Sequence, residues 1–480
     1  MKILFVVNMQ DLGFEEPLGI LYLSAVCKKA GYSTFSVENK PGKVESAIES
    51  IKPDMLGFSV LTTDFPVIYS SAKALKAKYP SVATVFGGPH ATYFPEIVQE
   101  AGIDFAVRGE GEESFKEFLS CFSAGKSYED VNSLVFKKNG SFQQNPVRPL
   151  IDNLDSISFP DRELFFSHKQ FYEADVRSVM ASRGCPNQCS YCYNHQNRLL
   201  YKGLGKHYRA RSVDNVIAEC AELKSKYKAK MLHFFDDIFP FDAAWVEDFT
   251  RKYIKDVGLP FMANTHFNVC SQHYVSNLAK AGCKLFFIGV ETGNQYFSKQ
   301  VLFRQVSNKD MVERAKLVHS HGIKIYTQNL LGIPHGSLEL DIETLRRNIQ
   351  IEADYAGAYQ CQPYPGTAIE KIAKQANLMD SSKDFSRSFY SASNLMIEDK
   401  EKVAKLGVLF PIVVNFPFLL NFIYLFLNLP LLPWRLIGTL LHGYKIKTSM
   451  LRYKMGPRVF LKNVMLYFSR GINRIFSQEE

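Results

Sequence analysis

Three cysteines crowd a single loop of this chain, within residues 183–193. Cys185, Cys189 and Cys192 follow a C-x3-C-x2-C spacing. Cysteine thiolates are the usual ligands of iron–sulfur clusters, and three on one loop can hold three corners of a four-iron cubane. The fourth iron then stays open to a substrate or cosubstrate. A structural zinc site with His195 as fourth ligand is the alternative, but zinc usually takes two spaced ligand pairs and no second C-x2-C pair occurs.

The residue before the last cysteine is aromatic. With Tyr191 in that place, the motif becomes C-x3-C-x-aromatic-C and resembles the signature of the radical S-adenosylmethionine (radical SAM) enzymes. The resemblance implies that the open iron binds the amino and carboxylate groups of SAM, and that the reduced cluster cleaves SAM to a 5′-deoxyadenosyl radical. It also implies an external electron donor such as flavodoxin or ferredoxin.

The elements that must position this loop alternate between strand and helix patterns across residues 177–375. Short apolar segments at regular spacing predict six strands with helices between them. We place the strands at residues 178–182, 230–235, 261–266, 284–290, 324–330 and 355–362. Six such units predict a partial (β/α)6 barrel, short of the eight that close a full one, and the resemblance implies the same count. The cysteine loop then follows the first strand, at the barrel end where such enzymes carry their chemistry.

Carboxylates follow the second and fourth of these strands. Asp236 and Asp237 come after the second, where the resemblance places the amino group of SAM. Carboxylates suit an ammonium because charge-assisted hydrogen bonds are strong, although a helix cap is the ordinary alternative. Glu291 comes after the fourth strand, where the resemblance places the ribose hydroxyls of SAM. Tyr191 and Tyr193 are predicted cofactor contacts, and Tyr193 is interpreted as packing either on the adenine or in the core.

Residues 1–125 show a second strand–helix alternation, which predicts a doubly wound, Rossmann-like parallel sheet. Ligands of such sheets lie beyond the carboxyl ends of the strands. The loops at those ends carry threonines that can hydrogen-bond a ligand and glycines that let one approach the backbone. The candidate cofactor-binding residues in these loops are Thr62, Thr63, Gly87, Gly88, His90, Gly109 and Glu110.

This domain lies directly ahead of the cysteine motif, and its segments at residues 87–90 and 109–112 resemble the cobalamin-binding domain of B12-dependent radical SAM enzymes. No G-x-G-x-x-G follows the first strand and no G-x4-G-K-S/T occurs, so a nucleotide site is not indicated. The D-x-H-x-x-G motif, which presents a histidine to cobalt in many cobalamin proteins, is also absent. The resemblance therefore implies a cobalamin without that histidine ligand, with loss of the cofactor as the alternative. His90 is interpreted as a contact to the loop or to the nucleotide tail of the cofactor.

Composition places the chain among globular proteins of a reducing compartment. Its 480 residues are 46% hydrophobic, which favours about two to four domains. Of the nine cysteines, the six outside the loop are dispersed, unlike a disulfide framework. The N-terminus has the pattern of a strand rather than of a signal peptide, so we expect a cytoplasmic protein. Residues 126–176 are expected to link the two domains and to contain a hairpin that turns at Asn139-Gly140.

Residues 376–480 are predicted to form a helical, hydrophobic and basic C-terminal region. No residue from 406 to 434 is charged, but four prolines interrupt this run and predict short broken helices rather than one spanning helix. The chain has a net charge of +9, and nine basic residues follow the apolar run: Arg435, Lys445, Lys447, Arg452, Lys454, Arg458, Lys462, Arg470 and Arg474. Apolar segments beside basic ones predict peripheral membrane contact through residues 406–474. Packing on the barrel or on a second copy is the alternative.

The resemblance covers residues 1 to about 375 and predicts a cobalamin-dependent radical SAM enzyme that uses a [4Fe–4S] cluster, SAM and cobalamin. Methylation of an unactivated carbon in a small or hydrophobic substrate is the first prediction. Oxidative cyclisation or rearrangement without methyl transfer is the nearest alternative, and a cobalamin- or redox-sensing binding protein is one from a different class. Nucleic acid is not an expected partner, because neither a DNA-binding helix pattern nor an RNA-reading motif is present. No individual catalytic side chain is predicted.

Overall fold

The structure is a computed structural model that describes residues 1–8, 16–380 and 393–445. The chain divides into two compact units. The first consists of Met1–Ser178 and Asn197–Arg211, and the second of Val179–Gln196 and the described residues from Ser212 onward. An N-terminal parallel-sheet domain, a second α/β domain and a helical C-terminal region confirm the predicted fold class.

A seven-stranded sheet forms the centre of the first unit. Its strands are β1 (Lys2–Val7), β2 (Ser33–Glu38), β3 (Met55–Ser59), β4 (Ala83–Gly87), β5 (Phe105–Val107), β6 (Leu134–Lys138) and β7 (Ser141–Gln144). They lie in the order β2-β1-β3-β4-β5-β6-β7, and the first five are parallel. The predicted hairpin, β6 and β7, pairs antiparallel with β5 and therefore continues the sheet instead of standing in a separate linker. Strand β2 was not predicted, because this edge strand is half exposed and carries no apolar run.

Helices follow the strands of this unit in turn. They are α1 (Leu18–Lys29), α2 (Lys43–Ile51), α3 (Phe65–Lys78), α4 (Gly88–Tyr93), α5 (Glu112–Ser123) and α6 (Lys169–Tyr172). The loops that lead from β3 to α3, from β4 to α4 and from β5 to α5 all leave the same edge of the sheet, because the three strands are parallel neighbours. The candidate cofactor residues of this unit are therefore brought together at one edge.

A six-stranded parallel sheet forms the barrel. The strands of this part of the chain are β8 (Val176–Val179), β9 (Ser182–Arg183), β10 (Arg209–Ala210), β11 (Met231–Phe234), β12 (Phe261–Thr265), β13 (Cys283–Glu291), β14 (Lys324–Leu331) and β15 (Tyr355–Gln360). The sheet has the order β15-β14-β13-β12-β11-β8. Each of the six predicted barrel strands is present, and the sheet is open because β8 and β15 are both edge strands. The predicted partial barrel is confirmed.

Helices cover the outer face of this sheet. They are α7 (Tyr193–Leu200), α8 (Val213–Ser225), α9 (Ala243–Asp256), α10 (Gln272–Ala281), α11 (Gln295–Gln300), α12 (Asn308–Ser320), α13 (Leu338–Gln350) and α14 (Ala368–Gln375). Polar caps start most of them: the side chains of Ser212, Ser271, Ser307 and Ser337 each accept a backbone N–H from the first turn. The main core lies between these helices and the sheet, so the other face of the strands is left to line the barrel interior.

The C-terminal region adds α15 (Lys400–Asn415), α16 (Ile423–Leu427) and α17 (Leu432–Lys445). Helix α15 packs on the barrel, with Leu406, Phe410 and Val413 buried in the main core. None of the helices in the described ranges is both long and apolar enough to cross a membrane. Seven of the nine basic residues singled out in the sequence lie beyond Lys445 and so outside the described residues: Lys447, Arg452, Lys454, Arg458, Lys462, Arg470 and Arg474.

Candidate cluster and cofactor sites

The three cysteines lie on the loop between β9 and α7. Gly184, directly before Cys185, adopts a φ of 81°, a left-handed conformation that glycine takes at little cost. The loop then turns tightly enough for the backbone N–H of Cys192 to donate to the carbonyl of Cys189 at 3.1 Å. Cys189 is buried, while Cys185 and Cys192 are half-buried. The chain thus gathers the three thiols on one compact turn, and none of them forms a disulfide.

Each of the three sulfurs has a nitrogen donor close by. The amide nitrogens of Asn187 and Asn194 lie 3.6 Å from Cys185 Sγ and 3.8 Å from Cys192 Sγ. The guanidinium of Arg304 lies 3.8 Å from Cys189 Sγ. Hydrogen bonds to the cysteine sulfurs stabilise ligating thiolates and help to set the reduction potential of iron–sulfur clusters. This donor set fits a loop that holds a negatively charged cluster.

Burial disfavours the ionised form of two of the three thiols. Burial raises the pKa of Cys185 to about 11 and the pKa of Cys192 to about 12, with a smaller contribution from the negative charge of Asp237. Iron binding must therefore displace protons, as thiolate ligation does in general. Within the described ranges, no three His, Cys, Asp or Glu side chains converge as a single metal ion requires.

The two aspartates after β11 have different surroundings. Asp236 is fully buried, and its Oδ1 accepts hydrogen bonds from Ala181 N at 2.9 Å and from Ser182 N and Oγ at 2.5 and 2.6 Å. Burial raises its pKa to about 7. Asp236 therefore fixes the turn after β8 that leads into the cysteine loop. Asp237 is exposed, and its Oδ1 lies 3.4 Å from the hydroxyl of Tyr193. Of this pair, Asp237 is the carboxylate accessible to an ammonium.

Glu291 ends β13 in a strained conformation. Its φ of 66° lies in the left-handed region, directly after a register shift between Gly289 and Glu291. A side chain at Gly289 would collide with the Glu291 carboxylate, so the glycine leaves the space in which that carboxylate lies. Outliers of this kind are held by their surroundings and often mark functional positions. The predicted role of Glu291 toward the ribose of SAM stays a prediction, and this backbone is consistent with it.

A buried network joins Glu291 to the cysteine loop. The hydroxyl of Tyr191 donates to Glu291 Oε1 at 3.0 Å, and Arg304 donates to the same hydroxyl at 3.0 Å and to the carbonyl of Gly289 at 2.6 Å. Burial raises the pKa of Glu291, while the nearby Arg304 opposes that shift. The sequence prediction named Tyr191 and Glu291 but missed Arg304. The one sequence feature that could have indicated Arg304 is its position as an isolated basic residue directly after the apolar run at residues 301–303.

The inner face of the barrel is lined by rings. On β13, β14 and β15, Phe287, Tyr326 and Tyr355 are cross-strand neighbours, and successive ring centroids lie 5.0 Å apart. His233 of β11 stacks on Phe287 at 5.1 Å, and burial lowers its pKa to about 4, so it is neutral at physiological pH. Gln328, two residues beyond Tyr326 on the same face, is exposed. This face of the sheet therefore presents rings, most of them buried, and one exposed amide.

In the first unit, the β3 and β4 ends are bound to each other. Val60 N donates to Gly87 O at 2.9 Å, and His90 N donates to Val60 O at 3.0 Å. Gly88 has a φ of 88°, and a Cβ there would lie within 2.9 Å of the Val60 backbone. The exposed side chains at this edge are Ser59 and Leu61, the latter 52% exposed. Gly88 therefore serves the close packing of the two loops, and the roles of Gly87 and Gly88 toward a cofactor stay predictions.

His90 itself is built into the protein. Its ring lies 4.1 Å from that of Phe65 and 4.8 Å from that of Phe94, centroid to centroid. Its Nδ1 lies 3.3 Å from Thr62 Oγ1, and burial lowers its pKa to about 4. The predicted cofactor residue Thr63 is buried next to Thr62. These contacts agree with the interpretation of His90 as a loop contact, and its role toward a cofactor stays a prediction.

Glu110 has its carboxylate occupied within the first unit. It accepts hydrogen bonds from Arg209 at 2.8 and 3.0 Å and from Ile151 N at 2.9 Å. Its backbone N–H donates to the hydroxyl of Tyr201 at 2.8 Å, and that hydroxyl fills the space beside Gly109, where a Cβ would collide. Gly109 and Glu110 therefore anchor the segment Asn197–Arg211 to the rest of the first unit, a contact that local sequence patterns do not reveal.

Comparison with known proteins agrees with this architecture. The family model of the B12 binding domain matches residues 6–119, and that of the radical SAM superfamily matches residues 179–347. An uncharacterised methyltransferase of Pyrococcus horikoshii is 29% identical over 403 residues, 79% of this chain and 84% of that protein. The anaerobic magnesium-protoporphyrin IX monomethyl ester cyclase of Rubrivivax gelatinosus is 25% identical over 396 residues, 76% and 68% of the two chains.

Solved structures show the same fold. The radical SAM methyltransferase TsrM of Kitasatospora setae, with cobalamin and a [4Fe–4S] cluster bound, aligns with a TM-score of 0.65 at 16% identity over 78% of each chain. A cysteine loop at the end of a six-stranded parallel sheet, which follows a B12 binding domain in the sequence, defines the class as iron–sulfur enzymes of the radical SAM type. The chain belongs to the cobalamin-dependent radical SAM enzymes, and its cofactors are a [4Fe–4S] cluster, SAM and cobalamin. The predicted family and cofactors are confirmed.

Proposed function

We propose that this enzyme methylates an unactivated carbon of a small or hydrophobic substrate. When bound, the cluster and SAM supply a radical that abstracts a hydrogen atom, and cobalamin supplies a methyl carrier. The chain supplies the rest: three thiolate ligands, the placement of SAM and a chamber that positions the substrate and excludes water. The relatives named as methyltransferases support this choice of reaction.

The observation that carries the substrate class is the inner face of the barrel. Phe287, Tyr326 and Tyr355 present rings, His233 is neutral, and the exposed Gln328 adds an amide. These rings and uncharged hydrogen-bonding groups favour an apolar portion of a substrate, with a few hydrogen bonds to fix its orientation. Phe235, 39% exposed at the end of β11, continues this lining toward the predicted SAM contacts at Asp236 and Asp237.

The overall balance requires an external reductant. One SAM gives its methyl group and leaves as S-adenosylhomocysteine, and another is cleaved to methionine and 5′-deoxyadenosine, which takes up the hydrogen atom from the substrate. Electrons enter from a donor of the flavodoxin or ferredoxin type. We propose Asp237 as the contact to the amino group of SAM, Glu291 as the contact to its ribose, and Tyr193 as the side chain against its adenine.

Cyclisation without methyl transfer is the second candidate, because one relative is named as a cyclase. The two reactions leave different products from SAM. Methylation yields S-adenosylhomocysteine together with 5′-deoxyadenosine, while cyclisation yields 5′-deoxyadenosine alone. The test is anaerobic reconstitution with iron, sulfide and cobalamin, followed by reduction and incubation of trideuteromethyl-labelled SAM with separate lipid and polar cell extracts. Transfer of the label into a compound of the lipid extract supports the proposal, and 5′-deoxyadenosine without S-adenosylhomocysteine refutes it.

A hydrophobic substrate would reach the enzyme from a membrane, so we include peripheral membrane contact in the proposal. Exposed apolar side chains in the C-terminal helices support this contact. Helix α15 is not part of this proposed membrane contact, because its apolar side chains pack on the barrel and are buried in the main core.

A further inference from the structure

Helix α17 carries an exposed face without charge. Leu432, Leu436, Ile437, Leu440 and Tyr444 are all exposed, Leu440 by 56%. We name these five residues the apolar face. Their spacing of about four residues places most of them on one side of the helix. Surface helices normally turn polar side chains to water, and contiguous exposed apolar patches mark interaction sites.

The other side of α17 is packed. A Cβ at Gly438 would lie 3.8 Å from the carbonyl of Val408 in α15, and the ring of His442 lies 5.0 Å from that of Tyr355 in β15. Helix α17 is thus held against the barrel by residues offset by two positions from Leu436 and Leu440. Because Gly438 and His442 face the barrel, the apolar face on the opposite side of the helix points away from the core.

The segment before α17 extends the same surface. Phe418, 65% exposed, and Phe422, Leu425 and Leu429 are exposed on and around α16. Phe426 packs on Trp434 with ring centroids 4.7 Å apart, which places α16 beside the start of α17. Large apolar side chains of two adjacent helices are consequently exposed in one part of the second unit.

Charge decides what covers this surface. Between residues 406 and 478 the sequence has nine Lys and Arg residues and no Asp or Glu. Of these residues, Arg435 and Lys445 lie on α17, which has no acidic residue, so a second copy docked helix to helix would bring like charge to this face. Residues 446–480 are equally basic and offer no anionic partner before Glu479. An anionic lipid surface provides a hydrocarbon layer for the apolar face and negative charge for the basic residues.

We propose that the apolar face of α17, with the exposed side chains around α16, docks the enzyme on anionic membranes. The purpose of docking, access to a hydrophobic substrate, rests on the proposed function. Membrane binding itself can be measured without enzyme turnover. A single amphipathic element of this kind lies in the interface and does not span the bilayer.

The test is co-sedimentation of the full-length, reconstituted enzyme with vesicles. One vesicle type is an equimolar mixture of phosphatidylcholine and phosphatidylglycerol, and the other is pure phosphatidylcholine. We expect binding to the anionic vesicles, weaker binding to the neutral ones, and a decrease with added salt. The variant Leu436→Gln with Leu440→Gln should bind the anionic vesicles about tenfold more weakly or worse, because each half-exposed leucine loses part of its transfer free energy. The control is Ile254→Gln on α9, a residue 52% exposed, which should bind like the wild type.

Three outcomes would overturn the proposal. The first is no binding of the wild type to either vesicle, as expected if residues 446–480 cover the face. The second is equal binding of the wild type and the double variant. The third is a dimer in solution that the double variant dissociates, which would make a second copy the occupant. SAM cleavage, measured without vesicles in the same preparations, reports on the proposed function separately, and it should be equal in all three proteins.

Discussion

Arg304 offers the sharpest test of the cluster site, because its guanidinium contacts Cys189, one of the three predicted cluster ligands. Its guanidinium is buried, lies 3.8 Å from Cys189 Sγ and is held by hydrogen bonds to Tyr191 and to the carbonyl of Gly289. We predict that Arg304→Gln lowers the reduction potential of the cluster, because removal of a nearby positive charge destabilises the more negative, reduced state.

The size of this effect follows from the distance. At about 4 Å and an effective permittivity of about 20, two unit charges interact by about 4 kcal/mol. For a one-electron couple this corresponds to about 170 mV, since about 59 mV is a tenfold change in the equilibrium constant. The added electron is shared with irons farther from the guanidinium, so this value is an upper bound. We expect a fall of about 50–100 mV.

The assay is a redox titration of the anaerobically reconstituted enzyme, monitored by the paramagnetic resonance of the reduced cluster. Iron and sulfide content must match between proteins, so that potential and occupancy are not confused. Arg304→Lys keeps the charge and should recover most of the wild-type potential. Arg251→Gln removes an arginine that is exposed on α9 and should leave the potential unchanged.

An Arg304→Gln potential equal to that of the wild type would refute the reasoning, since the charge would then have no electrostatic coupling to the cluster. A potential that rises would contradict the sign. Equal losses in Arg304→Gln and Arg304→Lys would show that the geometry of the guanidinium, and not its charge, is what the site requires.

Three further predictions concern the same site. Cys189→Ala should abolish the cluster absorbance and SAM cleavage together, while Cys121→Ala, outside the loop, should leave both unchanged. Gly289→Ala should lower the free energy of unfolding by about 1–3 kcal/mol, measured by denaturant titration, because its methyl group meets the Glu291 carboxylate. Asp236, with its pKa raised to about 7, binds a proton more readily in the folded chain than in the unfolded one, so folding stability should fall by up to about 1.4 kcal/mol per pH unit between roughly pH 4 and 7. Asp236→Asn should flatten that slope, and an unchanged slope would assign it to another group.

Local sequence patterns predicted those features of the fold and site that depend on residues close together in the chain. The cysteine spacing, the aromatic Tyr191 and the apolar period of the barrel strands are all short-range features. They predicted the family and the six-stranded barrel, which the comparisons and the structure confirm, and the cluster loop, whose ligands stay a prediction. Caps such as Ser212 and Ser307 are equally local, because an N-cap contacts the first turn of its own helix.

Contacts between distant residues were not predictable in this way. Arg304 lies 115 positions from Cys189, and Arg209 lies 99 positions from Glu110. The two aspartates after β11 are alike in sequence, yet Asp236 is buried in a turn and Asp237 is exposed. Two identical side chains that are adjacent in a strand or loop can point in opposite directions. Which of them is buried depends on the segments that pack against them.

The sequence by itself determined the chemistry that the loop can perform and the strand–helix order that carries it, because thiolate spacing and hydrophobic period are written along the chain. The tertiary structure decided which groups surround that chemistry: the Arg304 contact, the ring-lined face of the barrel sheet and the exposed side of α17. These depend on how distant segments pack, and packing is set by the joint burial of many side chains rather than by any one segment.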